Sequence, residues 1–287
     1  MGIDIHVFNF VKRLSKQRSL GNVLTIGRQS LSLPNDYMTA QFSEFVINTD
    51  SYCELLLQAM GATDVASVDY SDYEGPTFVG DLSSKLDLGR EFDTIIDSGS
   101  LEHVFDVASA FRNCIGFCKV GGRVIHILPV NNLSGHGFWQ FNSDLIHSIY
   151  SEKNGFKDTV VYYASGINFS NWYKVPKPSP GSRVNVASVE PIILLSVSEK
   201  FRHVENLQVF QPFYARAWSE TNASLEGSPP PHPIIGMFRT VLKRRGRIIN
   251  LLRNAWFVVG LLTGNSRFSI QQFEKVPTGH DLDKKSI

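Results

Sequence analysis

Charge is scarce in this sequence. Asp, Glu, Lys and Arg make up 19% of the 287 residues, against about 25% in an average domain. The two signs nearly cancel, 27 acidic against 28 basic, for a formal net charge of +1. That balance excludes bulk attraction to nucleic acid, and no nucleic-acid partner is expected. With 43% hydrophobic residues, it also excludes disorder as the state of the whole chain. Cysteine is nearly absent. Cys53, Cys114 and Cys118 are too few and odd in number for a disulfide framework, and Cys114 with Cys118 lacks the second pair of a zinc set. They read as small core residues of a reducing compartment. No leader is expected either: Met1–Phe10 has no basic region ahead of an apolar run, and His6 stands where a myristoylation site has Ser or Thr. The expected location is therefore cytoplasmic. Missing, finally, is the spaced-glycine fingerprint G-x-G-x-x-G after the first strand, which argues against a nicotinamide oxidoreductase.

What is present is an alternation of short apolar runs and helical stretches. Asn22–Ile26, Asp64–Tyr70, Thr77–Asp81, Phe92–Asp97 and Gly122–Pro129 read as buried strands. Ser51–Met60, Val104–Phe117 and Phe141–Ser151 read as helices. Strands separated by helices imply crossovers and a parallel sheet covered on both faces. The fold class is therefore α/β, a doubly wound and mostly parallel sheet. Thr159–Ala164 and Pro191–Val197 read as late strands forming an antiparallel edge, and Trp172–Ser182, with three prolines, as loop. Ser228–Pro233 (SPPPHP) reads as a linker. It divides a main domain, 1–227, from a helical appendage and tail, 234–287.

An open parallel sheet binds ligands at the carboxyl ends of its strands. Here those ends carry Gly27-Arg28-Gln29, then Asp69, then Asp81, then Asp97-Ser98-Gly99-Ser100. A glycine lets the backbone approach a ligand closely, and a carboxylate such as Asp69 can accept both hydroxyls of a ribose. Asp69 reads equally as a local cap or turn residue.

In this order, with Phe92–Val104 (FDTIIDSGSLEHV) and Lys119–Gly122 (KVGG), the segment from Asn22 to Pro129 resembles the class I S-adenosylmethionine-dependent methyltransferases, in their methyltransferase-11-like branch. The resemblance implies a Rossmann-like methyltransferase fold and S-adenosyl-L-methionine as cofactor. Gly27 would lie under the methionine end, Asp69 would bind the ribose, Asp81 and Leu82 would sit near the adenine, and Asp97 and Ser98 would flank the methionyl part. The chain departs from the family at the first loop, Thr25-Ile26-Gly27-Arg28-Gln29-Ser30, which has one glycine where the family has three and no acid before it. Arg28 would offset the lost backbone contacts by pairing with the cofactor carboxylate. Gly27 to Asp69 also spans about twice the roughly 20 residues usual in a dinucleotide fold, so an insertion is expected from Ser30 to about Asp50.

Methyl transfer from a sulfonium needs alignment, and a hydroxyl acceptor also needs a base. His136, His103 and Glu102 are the candidates, because their loops should open onto the cofactor. Each has a plainer reading, His103 and Glu102 as the first turn of a helix and His136 as an exposed loop residue. A metal on these three side chains is not expected. The acceptor site is expected in the loop Asn131–Phe141, where Asn131, Asn132 and Gln140 offer amide hydrogen bonds and Phe138 and Trp139 offer aromatic faces. That mixture suits a polar small molecule or a sugar of a glycan or glycolipid. The alternative is a non-catalytic binding module of the same fold with a decayed first loop. Beyond the linker, Ile234–Leu262 interleaves Arg239, Lys243, Arg244, Arg245, Arg247 and Arg253 with apolar residues and has no acid. It reads as a helix docked on the domain or on a second subunit, or as a surface for anionic lipid at the inner membrane face. Its apolar run Asn254–Leu262 is too short to span a bilayer, which takes about 20 residues.

Overall fold

The computed structural model describes residues 2–34, 37, 52–214, 255–260, 262 and 269–278. β1 (Gly21–Ile26), β2 (Ala62–Asp69), β3 (Phe78–Val79), β4 (Phe92–Ser98) and β5 (Cys118–Asn131) pair in parallel in the order β3-β2-β1-β4-β5. β6 (Phe156–Ser165), β7 (Asn171–Val175), β8 (Ile192–Lys200) and β9 (Glu274–Pro277) continue the sheet antiparallel, in the order β8-β6-β7-β9 beyond β5. The result is the expected doubly wound α/β sheet with mixed edges.

Alternation along the strands explains the two covers. Leu24, Ile26, Ile95 and Val124 face one core, with α3 (Val107–Phe117) and α4 (Ser143–Ile149). Val23, Ile96 and Ile125 face the other, with α1 (Ile5–Gln17) and α2 (Glu54–Ala59). Successive side chains of a strand point to opposite faces, so a run without polar gaps feeds both cores at once. Two buried cations from the sheet satisfy helix ends. Arg123 donates to the carbonyls of Leu14, Arg18 and Ser19 at the end of α1. Lys200 Nζ donates to Ile115 O at 2.8 Å and Cys118 O at 2.6 Å at the end of α3. All three cysteines are free and buried, and burial pushes the Cys53 and Cys118 thiols up to about 12.

Ahead of β1 stands α1, a helix the sequence reading did not name, opened by Asp4, whose side chain accepts from Val7 N. Three expectations change. Trp172–Ser182 is not all loop: Asn171–Val175 is a strand, and the prolines begin at Pro176, where they end it. The late strands are not a simple edge, because β8 lies inside the sheet between β5 and β6. The segment 234–287 is not wholly a helical appendage, since Glu274–Pro277 alternates across the sheet as the strand beside β7. The insertion from Ser30 to Asp50, the linker Ser228–Pro233 and the basic residues of 234–254 lie mostly or wholly outside the described residues. Residues 255–260 are helical, with Trp256 and Val259 exposed. Among the described residues, no helix is long and apolar enough to cross a membrane.

Candidate functional site

The chain steps outward through β1, β2 and β3, then returns to lay β4 against the other side of β1. Loops leaving β1 and β4 therefore diverge and open a crevice at the carboxyl ends of the strands. A cavity of about 560 Å³ fills it, lined by Gly27, Arg28, Gln29, Asp69, Asp81, Leu82, Gly99, Ser100 and His103 among others. That volume lies within the range of small-molecule sites, roughly 300–1,000 Å³.

The first loop closes on itself. Gly27 has φ +74° and its N–H donates to Val68 O at 2.7 Å. A Cβ there would stand 2.7 Å from Ser100 Oγ. Ser100 Oγ donates to Ile26 O at 2.6 Å, and Gln29 Nε2 donates to the same carbonyl and to Ser100 Oγ. Gln29 Oε1 is buried without a hydrogen-bond partner among the described residues. Arg28 lines the cavity, as the sequence suggested, with its Nε and Nη1 already engaged by protein partners. Its Nε donates to Glu54 Oε1 at 2.8 Å, its Nη1 donates to the carbonyls of Glu74 and Gly75, and its guanidinium lies 4.0 Å over the Tyr52 ring. It clamps the first loop to the loop after β2.

Asp69 combines both of its readings. Oδ2 accepts from Arg28 N at 3.1 Å and Oδ1 from Tyr70 N at 2.7 Å. Each oxygen keeps a further lone pair, and the carboxylate lines the cavity. Asp81 also lines it, while its Oδ1 accepts from Ser83 N. Leu82 is mostly buried beneath them.

Asp97 and Ser98 do not reach the cavity. Both are fully buried, and Gly99 and Ser100 form the wall in their stead. Ser98 Oγ donates to Gly2 O on the α1 side of the sheet. Asp97 Oδ1 accepts from Ser100 N, and Oδ2 lies 2.8 Å from His126 Nδ1, whose Nε2 lies 2.6 Å from Tyr150 OH. Burial, with Cys114 and Asp97 adding to it, holds the Tyr150 hydroxyl well above its usual range. This chain anchors the end of β4 from below.

At the mouth, a 3₁₀ turn, Leu101–His103, follows β4. The loop after β5 docks on it: Phe138 N and Trp139 N donate to Glu102 O, and Trp139 Nε1 donates to Val104 O at 3.0 Å. His136 Nε2 comes to 3.3 Å from Glu102 Oε1, and His103 Nε2 to 4.0 Å. The Glu102 carboxyl is fully buried, and burial, reinforced by Asp97, pushes it up to about 8. Burial lowers both imidazoles below their ordinary range, with His136 adding to the effect on His103.

The expected acceptor residues separate. Phe138 lines the cavity and Trp139 holds the turn. Asn132 Nδ2 donates to the carbonyls of Ser188 and Glu190, Asn131 Oδ1 accepts from Ser188 Oγ, and Gln140 Oε1 accepts from Leu133 N within its own loop. Cavity residues that sequence reasoning did not single out are Tyr70, Glu74, Ser100 and Phe105. No local pattern marks them, because the partners that give them a role lie on other strands' loops.

No family model matches the chain, and no curated protein matches its sequence. Solved structures similar to it include TehB from Haemophilus influenzae, at 14% identity and TM-score 0.40, covering 67% of this chain and 61% of that one. The N-methyltransferase NodS from Bradyrhizobium japonicum WM9, in complex with S-adenosyl-L-homocysteine, is 11% identical at TM-score 0.39, covering 68% and 86%. The YcgJ protein of Bacillus subtilis is 14% identical at TM-score 0.39, covering 69% and 99%.

Proposed function

We propose that this chain is an S-adenosyl-L-methionine-dependent methyltransferase whose acceptor is a polar small molecule, a sugar hydroxyl of a glycan or glycolipid. The observation that carries the reading is the cavity between the β1 and β4 loops, with Asp69 on its wall and Gly27 beneath it. Its residues fit the cofactor's parts. Asp69 has lone pairs left for two ribose hydroxyls. Gly27 presents bare backbone where a methyl group would collide with Ser100. Gln29 and Ser100 line the same wall and would border the methionyl end. Tyr70, Asp81 and Leu82 border the base end. When bound, the sulfonium would supply an activated methyl group, so the protein's task is to align it with the acceptor and keep water out.

At the other end, Phe105 and Phe138 offer apolar faces to a sugar ring. His103 borders the same end, and its lowered basicity keeps the imidazole neutral near neutral pH. Its Nε2 is the atom to take the acceptor's proton.

Thermal unfolding of the purified protein with and without S-adenosylmethionine or S-adenosylhomocysteine tests the reading. Ligand at about 100 times its Kd stabilises by roughly 2.7 kcal/mol, and Asp69→Ala should abolish the shift without unfolding the protein. Absence of a shift at millimolar ligand overturns it. The alternative would then stand, a binding module whose first loop is closed by the Arg28 clamp.

A further inference from the structure

Two chain segments far apart in sequence meet at the cavity mouth, the 3₁₀ turn after β4 and the loop after β5. The geometry points to a binding site for one divalent first-row transition ion formed by Glu102, His103 and His136. One ligand atom from each side chain lies within 4.8 Å of the other two. Two ligands bound at about 2.1 Å with tetrahedral angles stand roughly 3.4 Å apart. Glu102 Oε1 and His136 Nε2 are already 3.3 Å apart, and His103 Nε2, 4.0 Å from Oε1, belongs to a half-exposed ring with room to close in.

The second observation is what these atoms lack. The Glu102 side chain is fully buried, yet among the described residues neither carboxyl oxygen has a hydrogen-bond partner, and His136 Nε2 is likewise buried and unpartnered. Among the described residues, the basic side chains within ion-pair distance of Glu102 are His103 and His136. Buried polar atoms left without a partner are costly, and an ion held between these three side chains would satisfy them.

The backbone holds the arrangement ready. Glu102 O accepts from both Phe138 N and Trp139 N. Gly137 packs so closely on Glu102 that a Cβ would stand 2.7 Å from its carbonyl oxygen. Two imidazoles and one carboxylate suit zinc, cobalt, nickel or ferrous iron, whereas magnesium and calcium take all-oxygen shells. Three protein ligands leave a position open, and His103 turns that side toward the cavity beside Phe105 and Phe138. There an acceptor oxygen can bind the ion, and the histidine lone pairs then serve as ligands in place of taking a proton. That use of the site rests on the methyl-transfer reading; the ion site itself does not.

The test uses chelator-treated protein titrated with Zn²⁺ by calorimetry and with Co²⁺ by visible absorption. Saturable binding of one ion per chain is expected, with ligand-field bands of a mixed nitrogen–oxygen set. Affinity should fall more than about tenfold in both Glu102→Gln and His136→Ala, and stay unchanged in His203→Ala, which removes an exposed histidine paired with Glu91. His136→Ala alters an exposed loop, so the fold survives it even where Glu102→Gln perturbs the turn. Binding that is not saturable, or that both variants retain, overturns the proposal. The S-adenosylmethionine thermal shift, measured on the same samples, is expected in wild type with or without the ion, so failure of the ion site and failure of the cofactor reading are separate results.

Discussion

At the scale of single residues, two glycines border the site for different reasons. Gly27 needs its φ of +74°, and a side chain there also meets Ser100 Oγ. Gly27→Ala should cost about 1–2 kcal/mol and abolish the S-adenosylmethionine shift, as read by denaturant unfolding with and without ligand. Gly137 has only a space constraint against Glu102. Gly137→Ala should lift the loop from the turn and weaken Zn²⁺ binding in the titration, while the shift that depends on Asp69 persists. A third residue gives a pH effect. His147 on α4 is buried with Nε2 unpartnered among the described residues, and burial, then Lys177, lowers it to about 4. Its folded pKa lies below the unfolded value of about 6.5. The stability of the neutral form is therefore complete above that value and is lost as pH falls from about 6.5 toward 4, by on the order of 3 kcal/mol. His147→Gln should flatten the pH dependence of the urea midpoint over that window; parallel curves for the two proteins would refute this. Of such residues the sequence reveals Gly27 and Asp69, because a strand end marks them. It hides Gln29 and Ser100, whose contact with each other spans 71 positions.

At the scale of elements, the parallel half was legible because buried strands leave unbroken apolar runs such as Asn22–Ile26 and Phe92–Asp97. α1 was passed over although Asp4 and the apolar Val7, Phe10, Val11 and Leu14 stand at helical spacing; what the sequence hides is its partners, which come from distant strands. β7 was masked by the prolines that terminate it. The cations that secure helix ends were equally hidden, since nothing near Arg123 or Lys200 in sequence announces a distant carbonyl. Replacing Lys200 by Met keeps the stem and strips the donors from Ile115 O and Cys118 O. A loss of about 1–3 kcal/mol in unfolding free energy is expected, with ligand binding untouched. An unchanged denaturation midpoint would mean that water replaces the ammonium.

At the scale of the whole molecule, the sheet ends on a strand from far along the chain. β9 pairs with β7 through Asn171↔Pro277 to Lys174↔Glu274. Deleting 269–287 should leave β7 an open edge, lowering the melting temperature and raising light scattering on heating; a truncated protein that melts and scatters like the full chain would show that the β9 pairing contributes nothing. The position of β8 has a consequence for biosynthesis. It supplies the antiparallel neighbour of β5, yet roughly 70 residues separate the ends of the two strands. At ribosomal speeds of about 5–20 residues per second, β5 waits several seconds for that neighbour. During that interval the nascent chain carries the half that bears the cavity nearly complete beside an unsealed apolar border. The vulnerable moment in the life of this protein is thus its birth, and mutations that slow the arrival of β8 should reduce soluble yield more than they reduce the stability of the finished molecule.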